Sequence, residues 1–103
     1  MSQIQNHWDE AAHIEAELLR YMMVLGLDWH DEAAMMQLAA ECKRFSPEQA
    51  QAAYAAHDQT LISKAKLFAL ASTMMRTMEI GAHDNRDVHG GAAWKAFGKY
   101  LYS

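Results

Sequence analysis

The sequence predicts an all-α protein, and three observations carry that prediction. Apolar residues recur at spacings of three and four along most of the 103 residues, which is the periodicity of one buried helical face. A single proline and five glycines leave long stretches uninterrupted. Helix start and stop signals bound these stretches. We therefore predict one domain over residues 1–103, a small bundle of three main helices and a short C-terminal helix around one long central helix.

The long central helix is predicted at about residues 47–80. Ser46 suits the N-cap, Pro47 the first helical position, and Gln49 can complete a capping box. No glycine or proline follows until Gly81. A helix of this length would span about 50 Å, which is longer than a compact domain of about 100 residues. We therefore expect a second copy of the chain to cover the apolar side chains at its far end. Its predicted buried stripe is Tyr54, His57, Leu61, Ala65, Phe68, Ala71 or Ser72, Met75 and Met78.

The other helices follow from the same signals. The first should begin between His7 and Glu10 and run to Leu25, where Gly26 ends it. Asp28 is the predicted N-cap of the second. The predicted apolar stripes are Trp8, Ala11, Ile14, Leu18, Tyr21 or Met22, and Leu25 in the first helix, Met35, Leu38, Ala39, Cys42 and Phe45 in the second, and Trp94, Phe97, Tyr100 and Leu101 in the last.

Composition narrows the classes of partner. The formal net charge is -4 and no basic run is present, which argues against nucleic-acid binding through phosphates. The apolar runs are too short and too interrupted by charge to span a membrane. Cys42 is the single cysteine, and the N-terminal residues do not resemble a signal peptide, so we expect a cytoplasmic protein.

Two groups of residues are candidate metal ligands. Glu10, His13 and Glu17 follow the helical spacing used by di-metal carboxylate bundles, although no second Glu-x-x-His is present. The alternative for this group is a solvated helix face with charge pairs. The second group lies at the end of the long helix, where the alternative is a polar loop. It consists of Glu79, His83, Asp84 and His89.

Two single residues are also candidates for a chemical role. His57 falls on the predicted buried stripe, where an imidazole acts either as a pH-sensitive group or as a hydrogen-bonded core residue. Cys42 lies two residues before Arg44, a cation that would lower the pKa of its thiol, whereas burial would make it a small hydrophobe.

No complete catalytic constellation is present, and Met pairs at 22–23, 35–36 and 74–75 each place one side chain off the main stripe. The sequence therefore favours a small accessory or regulatory protein that acts through protein–protein interaction, as a homodimer and with an unidentified protein, without catalysis or a cofactor of its own. A metal-binding bundle, as sensor or enzyme, is the alternative, and a small-molecule cavity between helices is a third possibility. The expected interface residues are Leu61, Phe68, Met74, Met75, Met78, Trp94 and Phe97.

Overall fold

The computed structural model describes residues 3–83 and 90–102, with side chains at 10–80 and 90–102. Within these ranges it contains α-helices and no strands, which confirms the predicted all-α bundle. The helices are α1 (Gln3–Val24), α2 (Glu32–Arg44), α3 (Pro47–Ala55), α4 (Gln59–His83) and α5 (Ala92–Leu101).

The first turn of the chain forms as its residues predict. Gly26 adopts a left-handed conformation (φ +71°), and the N–H of Leu27 donates to the carbonyl of Met22 at 2.8 Å. The Gly26 N–H donates to the carbonyl of Met23 at 3.0 Å. These two bonds form a Schellman motif, which satisfies carbonyl groups at the end of α1.

The N-cap of α2 is Asp31, so the prediction of Asp28 was wrong. The Asp31 carboxylate accepts a hydrogen bond from the Ala34 N–H at 3.2 Å. Asp28 lies too far upstream, and its carboxylate instead accepts the N–H of His30 at 2.9 Å. This backbone bond, followed by a bond to the His30 ring, holds the pKa of Asp28 below its ordinary value.

The predicted long helix is the main error, because the chain breaks into α3 and α4 at residues 56–58. His57 takes a left-handed conformation (φ +53°), and the Asp58 N–H donates to the carbonyl of Ala53 at 3.1 Å. The His57 N–H donates to the carbonyl of Tyr54 at 3.2 Å, which completes a second Schellman motif. Asp58 then caps α4 by accepting the Leu61 N–H at 3.2 Å.

The break also changes which residues are buried. His57 is exposed, so its predicted place in the core was wrong. Tyr54 and Leu61 are exposed as well, because the helix breaks between them and the stripe no longer runs along one straight helix. The Ser46–Gln49 capping box forms as predicted at the start of α3.

The core is shared by four of the helices. α1 packs chiefly on α4, α2 on α5 and α3 on α4, with a smaller contact between α1 and α5. Val24 lies beside Gln59 and Thr60, whereas Glu17 lies beside Thr73, so α1 and α4 run antiparallel. The central buried residues are Ala11, Ile14, Leu18, Met22, Met35, Leu38, Ala39, Leu67, Phe68, Ala71, Met74, Trp94, Phe97 and Leu101.

Candidate functional site

The first group of candidate metal ligands lies on the outer face of α1. Glu10 and His13 are exposed, and Glu17 is half-buried. The Glu17 carboxylate accepts a hydrogen bond from the Arg20 guanidinium at 2.6 Å. Across residues with described side chains, no three His, Cys, Asp or Glu side chains come together in a group that could hold a metal ion. These residues therefore do not converge on one point.

Most of the second group of candidate metal ligands lies outside the residues whose side chains the structure describes. Glu79 is exposed near the end of α4. The backbone of His83 belongs to α4, but its side chain lies outside the described residues, as do Asp84 and His89. This candidate site accordingly stays a prediction.

Cys42 is half-buried on α2 and free. Burial raises the pKa of its thiol from 9.0 to about 11, the opposite of the effect expected from Arg44. A raised pKa leaves little thiolate near neutral pH, and thiolate is the reactive form. Cys42 therefore behaves as a small apolar residue that lines a cavity with Phe45, Ala65 and Phe68.

The raised pKa predicts slow alkylation of Cys42. At pH 8 iodoacetamide should modify the folded protein about 100-fold more slowly than the denatured chain, because the thiolate fraction falls by about that factor. Mass spectrometry of timed samples measures both rates. Equal rates in the two states would contradict this assignment. Because the folded state keeps the thiol proton longer, the free energy of unfolding should fall as pH rises from 9.0 to about 11.

The predicted interface residues divide between core and surface. Phe68, Met74, Trp94 and Phe97 are buried in the core of the same chain, and Met75 and Met78 are half-buried against that core. Leu61 is exposed at the start of α4. Of this set, only Leu61 is exposed, and 41% of it is accessible.

Among the side chains that the structure describes, the most exposed large apolar ones lie elsewhere, at the end of α1. Met23 is 79% exposed and Val24 is 66% exposed. Val24 also lines an open cavity of about 370 Å³ with Leu25, Gln59, Thr60 and Ser63. We call Met23, Val24 and this cavity the α1 end surface. None of the residues that line the cavity carries a charge.

The Met pairs in the sequence indicated that some methionine side chains would be exposed, as Met23 is on the α1 end surface. In each of the first two pairs one side chain is buried and the next is exposed: Met22 and Met35 are in the core. Met23 and Met36 face outward, which confirms that one Met of each of these pairs lies off the main stripe. The interface prediction did not include Met23, since its residues were taken from the predicted long helix and the last helix.

A groove between α1 and α4 is a second depression, and its lining is mostly apolar. Tyr21, Ala69, Leu70 and Thr73 line it, together with Glu17 and Lys66, and its volume is about 290 Å³. It is shallow and open, unlike the enclosed pockets that bury most of a small ligand.

Comparison with known proteins does not add a family. No family model, curated protein or solved structure matches the chain. Among the described residues, none of the helices combines the length and apolar character needed to cross a membrane.

Proposed function

We propose that the chain is a small accessory or regulatory protein that acts by binding other proteins, including a second copy of itself, and that it performs no catalysis. The observation that carries the proposal is the α1 end surface. Two neighbouring, exposed apolar side chains beside a cavity whose lining carries no charge are a reasonable site for binding another protein. The free Cys42 thiol suits a reducing compartment, so we also propose that the protein works in the cytoplasm.

Two features of the α1 end surface support a protein partner. Met23 is a flexible, polarisable side chain that adapts to different apolar partners. The cavity next to Val24 is lined by Leu25 and by short polar residues of α4, so a side chain of a partner can enter it without meeting a charge. An apolar anchor in a neutral pocket is the usual centre of a protein interface.

The test is a double substitution, Met23→Glu with Val24→Glu, compared with Met36→Glu. Met36 is also an exposed methionine, 55% exposed on α2, so it controls for the loss of an apolar side chain and the gain of charge. Sedimentation equilibrium over a range of concentrations should show self-association of the wild type. The double substitution should weaken it by at least about 10-fold, because two charges would be desolvated at the interface, and Met36→Glu should leave it unchanged.

The proposal fails if the wild type is monomeric and affinity capture recovers the same proteins with and without the double substitution. It also fails for this surface if Met36→Glu weakens association as much as the double substitution does. Circular dichroism spectra should confirm that all variants keep their helical content.

A further inference from the structure

The break between α3 and α4 has the properties of a hinge. His57 occupies the left-handed position of a Schellman motif with φ +53°, where glycine is the usual residue because a Cβ atom is disfavoured. The sequence from Glu48 to Ile80 contains no glycine and no proline. Nothing in the local sequence therefore prevents α3 and α4 from joining into one straight helix.

The packing of the helices is divided at this hinge. Within the described part of the chain, each main packed pair joins a helix before residue 57 to a helix after it: α1 with α4, α2 with α5, and α3 with α4. The smaller contact between α1 and α5 does the same. The Glu15 carboxylate of α1 likewise accepts the N–H groups of Gly91 and Trp94. The ion pair between Glu41 and Lys64 (3.0 Å) also crosses the hinge.

Straightening the hinge would cost few interactions. The two Schellman bonds and the Asp58 cap would be lost, and regular backbone bonds of a continuous helix would replace them. The strain at His57 would be relieved. All packing between the two halves would form again if each half met the complementary half of a second copy, which is the condition for domain exchange.

We propose that two copies of this chain exchange α4 and α5 by straightening the hinge at residues 56–58, so that α3 and α4 of each copy form one continuous helix. The proposal rests on the self-association put forward above and assigns a second copy as the partner. It does not require the α1 end surface, since the exchanged dimer uses the contacts already made within one chain.

A matched pair of substitutions at one position tests the hinge. His57→Gly favours the left-handed turn, whereas His57→Ala favours the straight helix. The two should differ roughly 30-fold in the balance of bent to straight hinge, hence roughly 1,000-fold in the dimerisation constant, because a dimer has two hinges. Asp58→Ala removes a cap that exists only in the bent form and should also increase dimerisation, by roughly 25-fold. Light scattering after size exclusion measures the dimer fraction at several concentrations.

Cross-linking distinguishes exchange from association through a surface. Heavy-isotope-labelled and unlabelled chains are mixed, unfolded and refolded together at high concentration, and the dimer is treated with a carbodiimide that joins Glu41 to Lys64 as an amide. In an exchanged dimer this bond links two chains, so about half of the cross-linked peptides should carry one labelled and one unlabelled part. In a surface dimer the bond stays within one chain and mixed peptides do not form. Glu41→Gln should abolish the cross-link and serves as the control.

Mixed peptides together with more dimer for His57→Ala than for His57→Gly would support exchange. Dimers whose Glu41–Lys64 links are all of one isotope would overturn it while leaving self-association through a surface intact. A monomeric state for wild type, His57→Ala and Asp58→Ala alike would overturn both. Mixed peptides whose yield is unaffected by substitution of Met23 and Val24 would support exchange and count against the α1 end surface as the site of self-association.

Discussion

Replacing Phe97 with alanine should lower the free energy of unfolding by about 3–5 kcal/mol, the usual cost of deleting a buried aromatic ring. Phe97 is 0% exposed at the centre of the core. Its ring meets that of Trp94 edge to face, with the centroids 6.2 Å apart at 84°, an arrangement that adds to the gain from burial. Because small domains are stable by only about 5–15 kcal/mol, the variant should be close to unfolding.

Urea denaturation followed by circular dichroism measures this loss. Tyr102→Ala is the matched control, since Tyr102 is an aromatic residue at the C-cap of the same helix and is 60% exposed. Its loss should change the free energy of unfolding by less than about 1 kcal/mol, as expected for a surface site. Equal destabilisation by the two substitutions would contradict the placement of α5 in the core.

Replacing Glu15 with alanine should lower the free energy of unfolding by about 2 kcal/mol, the upper range for loss of a helix cap. The N-cap of α5 is Gly91, which has no side chain to cap the helix. The Glu15 carboxylate takes that role from α1: one oxygen accepts the Gly91 N–H and the other accepts the Trp94 N–H at 3.2 Å. An anion at a helix N-terminus also interacts favourably with the helix dipole.

Glu15→Gln and Glu10→Ala are the comparisons for this cap. The amide keeps one acceptor oxygen without the charge, so Glu15→Gln should lose less stability than Glu15→Ala. Glu10 is an exposed acid on the same helix, and its removal should change the free energy of unfolding by no more than about 0.5 kcal/mol. A Glu15→Ala variant as stable as the wild type would show that α5 does not depend on this cap.

The features that sequence predicted correctly are local ones. The stripe of Ile14, Leu18 and Met22 needs only helical periodicity, and the bonds between Ser46 and Gln49 involve neighbours in the chain. Gly26 was identifiable because glycine is the residue that tolerates a left-handed turn without strain. Signals of this kind act within one or two helical turns, so a single sequence contains them in full.

The features that sequence did not predict depend on residues far apart or on a weak local preference. The cap from Glu15 to Gly91 joins α1 to α5, and no spacing rule relates them. The break at His57 does have a local signal, since Asp58 is a favoured N-cap residue. Without a glycine or proline, that signal was weaker than the continuous apolar pattern. The exposure of the Met23 and Val24 side chains depends on how α4 packs against α1.

The division of packing at residue 57 also bears on how the protein is made on the ribosome. α5 is the last of the five helices to be synthesised, and it supplies Trp94, Phe97 and Leu101 to the core. Until those residues emerge, α2 lacks the helix against which it chiefly packs. α2 therefore keeps an exposed apolar face on the nascent chain even after α4 has emerged to cover α1 and α3, and the core is complete only when α5 has left the exit tunnel.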